Sequence, residues 1–370
     1  MKVSLKVLIL LAVSLWSCIC PAQNWPIFRG DTRLQGYADV QLPEKPVLLW
    51  SYQTGGEILS SPVVGSGIII IGSTDGTLYA LDLNGKELWK AETGNSIEAP
   101  ALILGQRVIV GNMSGSLLAF GLKTGKSEWS YKTDGQISGS PNHYTAGGKT
   151  ILAVGSYDYF LHGIDAATGK GLWKYESDNF INGAPGIWSG KAIFGGCDGF
   201  LHIVDLLTGK TGQKIEVATY VAGSVAIDGN RVFVGDYDGK FSCYDLNTHH
   251  AIWQWDDPAG DLPFLSSPAI HDRWVVNGSR DRSVYAWDKN TGKQIWKTDT
   301  GNRVDASPVI AGKKVVAANM RGDLILMNLS DGKITWSYEL GSAIAGNPAV
   351  ADGKIIIGAA DGFIYCFGGK

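Results

Sequence analysis

Short, mostly apolar runs such as Ile68 to Ile71, Arg231 to Val234 and Lys354 to Ile357 alternate with Gly-rich polar breaks along almost the whole chain. Runs of this length bounded by turn formers predict strands. The breaks are periodic, and three markers set the period. A proline after small or polar residues recurs at Pro62, Pro100, Pro141, Pro185, Pro268, Pro308 and Pro348, with Val225 in the one repeat that lacks it. A tight-turn pair follows each: Asp75-Gly76, Ser114-Gly115, Asp158-Tyr159, Asp198-Gly199, Asp238-Gly239, Asp281-Arg282, Arg321-Gly322 and Asp361-Gly362. Asp-Gly supplies the positive φ that a right-twisting hairpin needs. The third marker is an Asp, a Thr-Gly-Lys turn and a Trp, as in Asp165, Thr168, Gly169, Lys170 and Trp173, or Asp288, Thr291, Gly292, Lys293 and Trp296.

Each unit therefore reads as four short strands: an inner one at the proline, a second before the hairpin, a third such as Leu78 to Leu81, and an outer one ending near the tryptophan. Eight units of 38 to 44 residues predict an all-β, eight-bladed β-propeller of four-stranded antiparallel blades. The chain divides into an export signal at 1–22, an N-terminal strap at 23–45 and the propeller at 46–370. Trp50 precedes the first proline, while the last unit ends at Cys366-Phe367 without a tryptophan. Residues 46–53 are therefore expected to supply the outer strand of the last blade and close the ring, which removes the edges an open array would expose.

Trp50, Trp89, Trp129, Trp173, Trp253, Trp296 and Trp336 form the outer-strand series, with Gln213 in the remaining slot. Rings that bury 150–250 Å² are expected to wedge between blades, worth about 4–6 kcal/mol each as an upper bound. Gln213 marks the outer strand of blade 4 as the weak joint.

Composition narrows the function classes. A net charge of −3, from 32 basic and 35 acidic side chains, makes no field able to recruit nucleic acid. Lys2, Lys6 and the apolar run Val7 to Trp16 have the form of a cleaved export signal. Leu15 to Cys18 resembles a lipobox, with Cys18 as a lipid attachment point, and Cys20-Pro21-Ala22 offers a competing cleavage site before Gln23. The leader implies export. Cys197, Cys243 and Cys366 remain after cleavage, with no zinc, haem or redox spacing. Cys243 and Cys366 occupy positions held by Ala80 and Ala286 in sister repeats and read as core filler.

The Asp-x-x-Thr-Gly-Lys-x-x-Trp signature, spread over residues 46 to 367, resembles the repeat of pyrroloquinoline-quinone-dependent dehydrogenases and of the outer-membrane assembly lipoprotein family BamB. Together with the leader, this resemblance implies the periplasm or the outer membrane of a Gram-negative bacterium. Residues Asn24 to Asp31 look like the Trp-Pro-x-Phe-Arg-Gly opening of bacterial members of this repeat superfamily, implying a plug or strap against the ring. WD40 repeats fit worse, because Lys or Ser rather than Asp follows most of the tryptophans. Gly121 and Asn328 in place of the motif Asp, and His249-His250 in place of Gly-Lys, are local departures.

The resemblance allows either a binding scaffold or an oxidoreductase. Quinoprotein dehydrogenases of the superfamily carry long insertions, adjacent cysteines and an acidic calcium set. The chain has no adjacent cysteine pair and no Cys-x-x-Cys-His, and its short units leave little material for a lid. We therefore expect a noncatalytic monomeric scaffold without a cofactor, holding another envelope protein, such as an outer-membrane assembly component, through loops and sheet edges.

The alternative is a quinone- or calcium-dependent enzyme with its site in the central funnel. Just ahead of the proline positions stand Ser60, Glu98, Ser138, Asn182, Ala222, Ser266, Asp305 and Ala345. Of these, Glu98, Asn182 and Asp305 offer oxygen donors to a hard cation, with Glu57, Gln136 and Arg303 nearby. The favoured reading is that they are solvated channel-lining groups, Asp305 paired with Arg303, because eight repeats place a ring of polar residues there whether or not anything binds. His162 and His202 fall where Tyr79, Tyr285 and Tyr365 stand in sister repeats and are expected to replace a strand aromatic. A third reading is a carbohydrate or surface-polymer binder stacking sugars on Tyr157, Tyr159, Phe180 and Tyr220. The elongated connection from Asp256 and Asp257 through Asp261 to Phe264 suits partner contact.

Overall fold

The computed structural model describes residues 24–217, 219–257 and 262–369. The export signal with Cys18, and Asp261, lie outside the described residues. Blade 1 shows how the repeat folds. Val63–Gly65, Ile68–Gly72, Thr77–Asp82 and Glu87–Glu92 form an antiparallel meander with Val63 opposite Ile70, Ile70 opposite Ala80 and Ala80 opposite Trp89. Its second strand is buried on both faces, because a blade is covered by a neighbour on each side. Blades 2 to 7 repeat the order at 102–132, 142–176, 186–216, 226–256, 269–299 and 309–339. In blade 8, Ala349–Ala351, Lys354–Gly358 and Phe363–Gly368 are joined by Val47–Gln53, which runs antiparallel to the last strand with Trp50 opposite Cys366.

Every blade has a register shift between its third and outer strands next to the tryptophan position. Such a bulge turns the next side chain off the sheet. Six of the tryptophans then lie on the Thr-Gly turn, or its equivalent, of the following blade. A Cβ on Gly85, Gly125, Gly169, Gly209, Gly292 or Gly332 would stand 2.6 Å from the ring of Trp50, Trp89, Trp129, Trp173, Trp253 or Trp296 respectively, and each of these glycines has φ between +64° and +82°. Both the space and the backbone therefore require glycine. Five indoles also donate Nε1–H to a carbonyl of that turn: Trp50 to Leu83, Trp89 to Leu122, Trp173 to Leu206, Trp253 to Lys289 and Trp296 to Leu329, at 2.8–3.0 Å. Trp336, next to the closing blade, meets Phe367 edge-on instead.

Toward the axis a second joint runs through the residue two places before the start of the inner strand. The Ala184 N–H donates to Ser224 Oγ, Ser224 N–H to Ser267 Oγ, Ser267 N–H to Ser307 Oγ, Ser307 N–H to Asn347 Oδ1, and Asn347 N–H to Ser61 Oγ. This arc ties blade 4 round to blade 1. It stops where Pro100 has no N–H and neither Pro100 nor Ala184 has a side-chain oxygen.

The strap crosses the inner strands on the side away from the hairpin turns. Trp25 pairs with Val64, and the carbonyls of Pro26, Thr32, Arg33, Gln35 and Gly36 accept the N–H groups of Ile103, Ile187, Ile227, Ile270 and Ile310. Tyr37–Ala38 adds a short parallel strand to blade 7. Arg29 is wholly buried and its Nη2 donates to the carbonyls of Pro268 (3.0 Å) and Pro308 (2.6 Å). Burial pushes its pKa down to about 9.

Candidate functional site

The mouth of the ring is built by one local device used in every blade. The loop entering the inner strand offers a carbonyl to the hairpin turn between the second and third strands, as Glu57 does to Thr74, Gln136 to Tyr157, Tyr220 to Tyr237 and Arg303 to Met320. Mouth loops are thereby tied to the hairpin turns around a polar central funnel of about 170 Å³. Glu98, Asn182 and Asp305 all line it, together with Ser138, Ala222 and Ala345, while Phe28 of the strap contributes from the opposite side. Ser60 and Ser266 do not line it. They are buried behind the wall, each bonded to both backbone groups of Gly72 or Gly278, and Leu59 and Leu265 face the funnel instead. The cause is position: Ser60 and Ser266 stand two residues before their prolines, whereas Ser138, Asn182, Asp305 and Ala345 stand three before theirs. Glu98, two before Pro100, reaches the wall because the inner strand of blade 2 begins two residues after its proline rather than one. Glu98 is thus equivalent to Leu59, not to Ser60. Glu57 and Gln136 are exposed and lie outside the funnel lining.

The three candidate donors differ in what they are free to do. Asp305 is held by Arg280 through two contacts of 3.1 and 3.2 Å, with Arg303 at 3.6 Å; the nearer partner is Arg280, not the expected Arg303. Asn182 donates to Cys197 Sγ at 3.1 Å, and its carbonyl accepts from Ser138. Glu98 has no ion-pair partner among the described residues, and burial raises its pKa above the ordinary carboxylate value. No group of three or more metal-ligating side chains is assembled among the described residues.

Two buried relays brace the mouth. His162 accepts from Tyr131 Oη–H at Nδ1 (3.0 Å) and meets Asp158 through Nε2, and His202 does the same between Tyr175 and Asp198. The sister tyrosines Tyr79, Tyr285 and Tyr365 bond the corresponding Asp75, Asp281 and Asp361. The histidines therefore do the strand aromatic's work while also joining adjacent blades. Burial lowers the His162 pKa, so the ring stays neutral at pH 7.

Around the mouth, Phe180 packs on Tyr157 (4.9 Å) and Tyr159 (5.1 Å), and Tyr220 meets Tyr237 at 6.3 Å. Tyr159, Phe180, Tyr220 and Tyr237 are all exposed, forming an aromatic crescent over blades 3 to 5. Tyr237 had no sequence signal of its own beyond its place beside a hairpin Asp. The connection after blade 5 divides in two. Asp256 is exposed at a strand end, and Asp257 accepts from Tyr285. Phe264 is 1% exposed, sealed among Phe241, Trp255, Tyr285 and Trp287, so its side chain anchors the loop and presents nothing to a partner. A wider groove of about 500 Å³ lies between the strap and blade 7, where Tyr37 stacks on His271 at 3.6 Å.

Among solved structures, BamB from Moraxella catarrhalis matches with a TM-score of 0.75 at 18% identity, covering 88% of this chain and 98% of that one. The computationally designed Ika8 protein matches at 0.73 and 18% identity, over 89% of this chain and 100% of that one. Quinohemoprotein alcohol dehydrogenase from Comamonas testosteroni matches at 0.78 and 14% identity, over 94% of this chain and 80% of that one. At these identities the likeness is one of fold. No curated protein sequence matches the chain. The profile of the family described as outer membrane protein assembly factor BamB matches residues 44–141, 84–298 and 280–368, which together span the whole ring, and the chain belongs to that family.

Proposed function

We propose that the chain is a noncatalytic binding scaffold of the cell envelope, exported to the periplasm or held at the outer membrane of a Gram-negative bacterium. Its role would be comparable to that of the assembly factor that names its family. The observation that carries this reading is the state of the funnel. Its space of about 170 Å³ is below the roughly 300–1,000 Å³ of small-molecule sites, and Asp305 is already committed to Arg280. The exposed aromatic crescent, by contrast, stands on loops hydrogen-bonded to the hairpin turns at the mouth, where a partner protein can reach it. A photo-crosslinking side chain at Tyr220 is expected to trap one discrete envelope protein. Calcium and pyrroloquinoline quinone are expected to give no dye reduction with alcohols or sugars, and tight quinone binding with turnover would overturn the scaffold reading. The crescent also favours a second reading, sugar stacking, for which glycan-array binding lost in Tyr220→Ala is the test.

A further inference from the structure

Blades 2 to 4 are polarised from the strap side of the ring to its mouth. On the strap side Lys123, Lys126, Lys149, Lys170 and Lys210 are exposed, with Lys191 half-buried among them, and none of the six forms an ion pair among the described residues. The carboxylates at the same ends of these blades are engaged: Glu128 pairs with Arg107, and Asp165 and Asp205 are half-buried, each with Oδ1 on N–H groups of its own turn. At the mouth ends the sign reverses, with Asp134, Asp158, Glu176, Asp178, Asp198 and Glu216 against Lys132, Lys174 and Lys214. Exposed apolar side chains sort the same way. The aromatics Tyr159, Phe180, Tyr220 and Tyr237 are at the mouth, whereas the aliphatic Leu172, 49% exposed, and Leu207, 58% exposed, are on the strap side of blades 3 and 4. Blade 3 also projects further on that side. Its first two strands, Asn142–Ala146 and Lys149–Gly155, have five and seven residues where blades 2 and 4 have three and five, and the added residues lengthen the strap-side hairpin.

The strap adds a direction. Asn24 accepts the N–H of Ser66 in the strap-side hairpin of blade 1, so the chain ahead of it leaves the ring from this same side. Cys18 stands six residues before Asn24, a reach of about 20 Å when extended. Unpaired ammonium groups around exposed leucines match a layer of phosphate headgroups over acyl chains, where each lysine gains from the surface charge and a leucine gains by leaving water. A polyanion without an apolar layer would use the lysines and leave the leucines in water. We propose that the strap side of blades 2 to 4 is a docking face for a bilayer containing anionic phospholipid. Lys126, Lys170 and Lys210 sit among the headgroups, Leu207 enters the layer beneath them, and the acidic mouth is turned away from the surface toward soluble partners. The proposal goes beyond the scaffold reading and does not require a lipid on Cys18.

The test uses the chain from residue 23, which carries no lipid, and sedimentation with vesicles of phosphatidylcholine alone or mixed with about one third phosphatidylglycerol. The chain is expected to sediment with the anionic vesicles, to bind phosphatidylcholine alone about tenfold more weakly or worse, and to be released as salt rises from about 0.1 M to about 0.5 M. Lys126→Glu with Lys170→Glu and Lys210→Glu alters exposed turn residues, so Tm should hold while binding to the anionic vesicles falls about tenfold or more. Leu207→Ser keeps the charge and should weaken binding several-fold. An environment-sensitive dye reads the orientation, in a Cys197→Ser background that leaves only the buried Cys243 and Cys366. Attached through Leu207→Cys it should shift to the blue on anionic vesicles, and through Glu216→Cys, at the mouth end of the same blade, it should not. Equal binding to both vesicles, no binding, indifference to the lysine changes, or a shift at position 216 rather than 207 would each overturn the proposal. None of these outcomes touches crosslinking at Tyr220, so the docking face can fail while the scaffold reading stands.

Discussion

Asp236 opens the hairpin of blade 5, where its Oδ1 accepts the N–H groups of Asp238 (3.1 Å) and Lys240 (2.9 Å). Sister blades place Asn112 and Asn319 here with the same pair of bonds, and their Nδ2 groups donate onward to the Thr93 and Thr300 carbonyls. Burial pushes the Asp236 carboxyl from 3.8 up to about 6. An acid raised in the folded state costs stability as pH climbs through that window: nothing below the unfolded pKa, where both states hold the proton, and the full cost above the folded one. Asp236→Asn should therefore raise stability at pH about 7.5 by on the order of 2 kcal/mol, and change little at pH about 3.5. Thermal melts at the two pH values check this, and an equal shift at both would refute the assignment. The hairpin itself was readable from Asp-Gly spacing, because that turn is determined by two adjacent residues. The ring of funnel residues was misread at Ser60 and Ser266 because these stand two residues before their prolines, where Ser138, Asn182 and Asp305 stand three before. Only in blade 2, whose inner strand starts one residue later after Pro100, does the two-residue position, Glu98, reach the wall.

Elements join through the tryptophans, and the period of the sequence exposed them because both halves of each dock lie at a fixed offset in the repeat. The partner glycine of each ring was visible as a turn former, but its role as a seat was not, since that needs the bulge that turns the indole onto the next blade. The strap was harder still: Arg29 reaches carbonyls at Pro268 and Pro308, more than two hundred residues away, and no local pattern encodes such a contact. Trp173→Ala removes an indole seated on Gly209 and bonded to Leu206, leaving a gap between blades 3 and 4. The expected loss is about 3 kcal/mol and several degrees in Tm. Gln213→Ala removes a side chain that is exposed and seated on nothing, so its effect should stay within about 0.5 kcal/mol. Calorimetry on the two variants measures the difference, and comparable losses would deny the tryptophans their wedge role.

At the scale of the whole molecule, the ring is held shut by three separate devices at one seam. Val47–Gln53 completes the sheet of blade 8, Trp50 from that strand docks on Gly85 of blade 1, and Asn347 bonds Ser61 across the inner end. The first two depend on the same seven residues. The strap lies immediately before them and covers a different surface, so two truncations separate the contributions. A chain beginning at residue 46 loses the strap's bonds to the inner strands but keeps the closing strand and its tryptophan. A chain beginning at residue 54 loses those as well, baring the edge of Phe363–Gly368 and the Gly85 seat. An unpaired strand edge next to an empty apolar seat is a template for association. The shorter chain is therefore expected to form dimers or larger species in a concentration-dependent way and to lose its single sharp melting transition, whereas the chain from residue 46 should remain monomeric with a lowered Tm. Light scattering and calorimetry on the pair decide it. If both truncations stay monomeric with the same Tm, the seam is held by the inner arc of serines and Asn347, and the closing strand is an ornament on a ring that shuts without it.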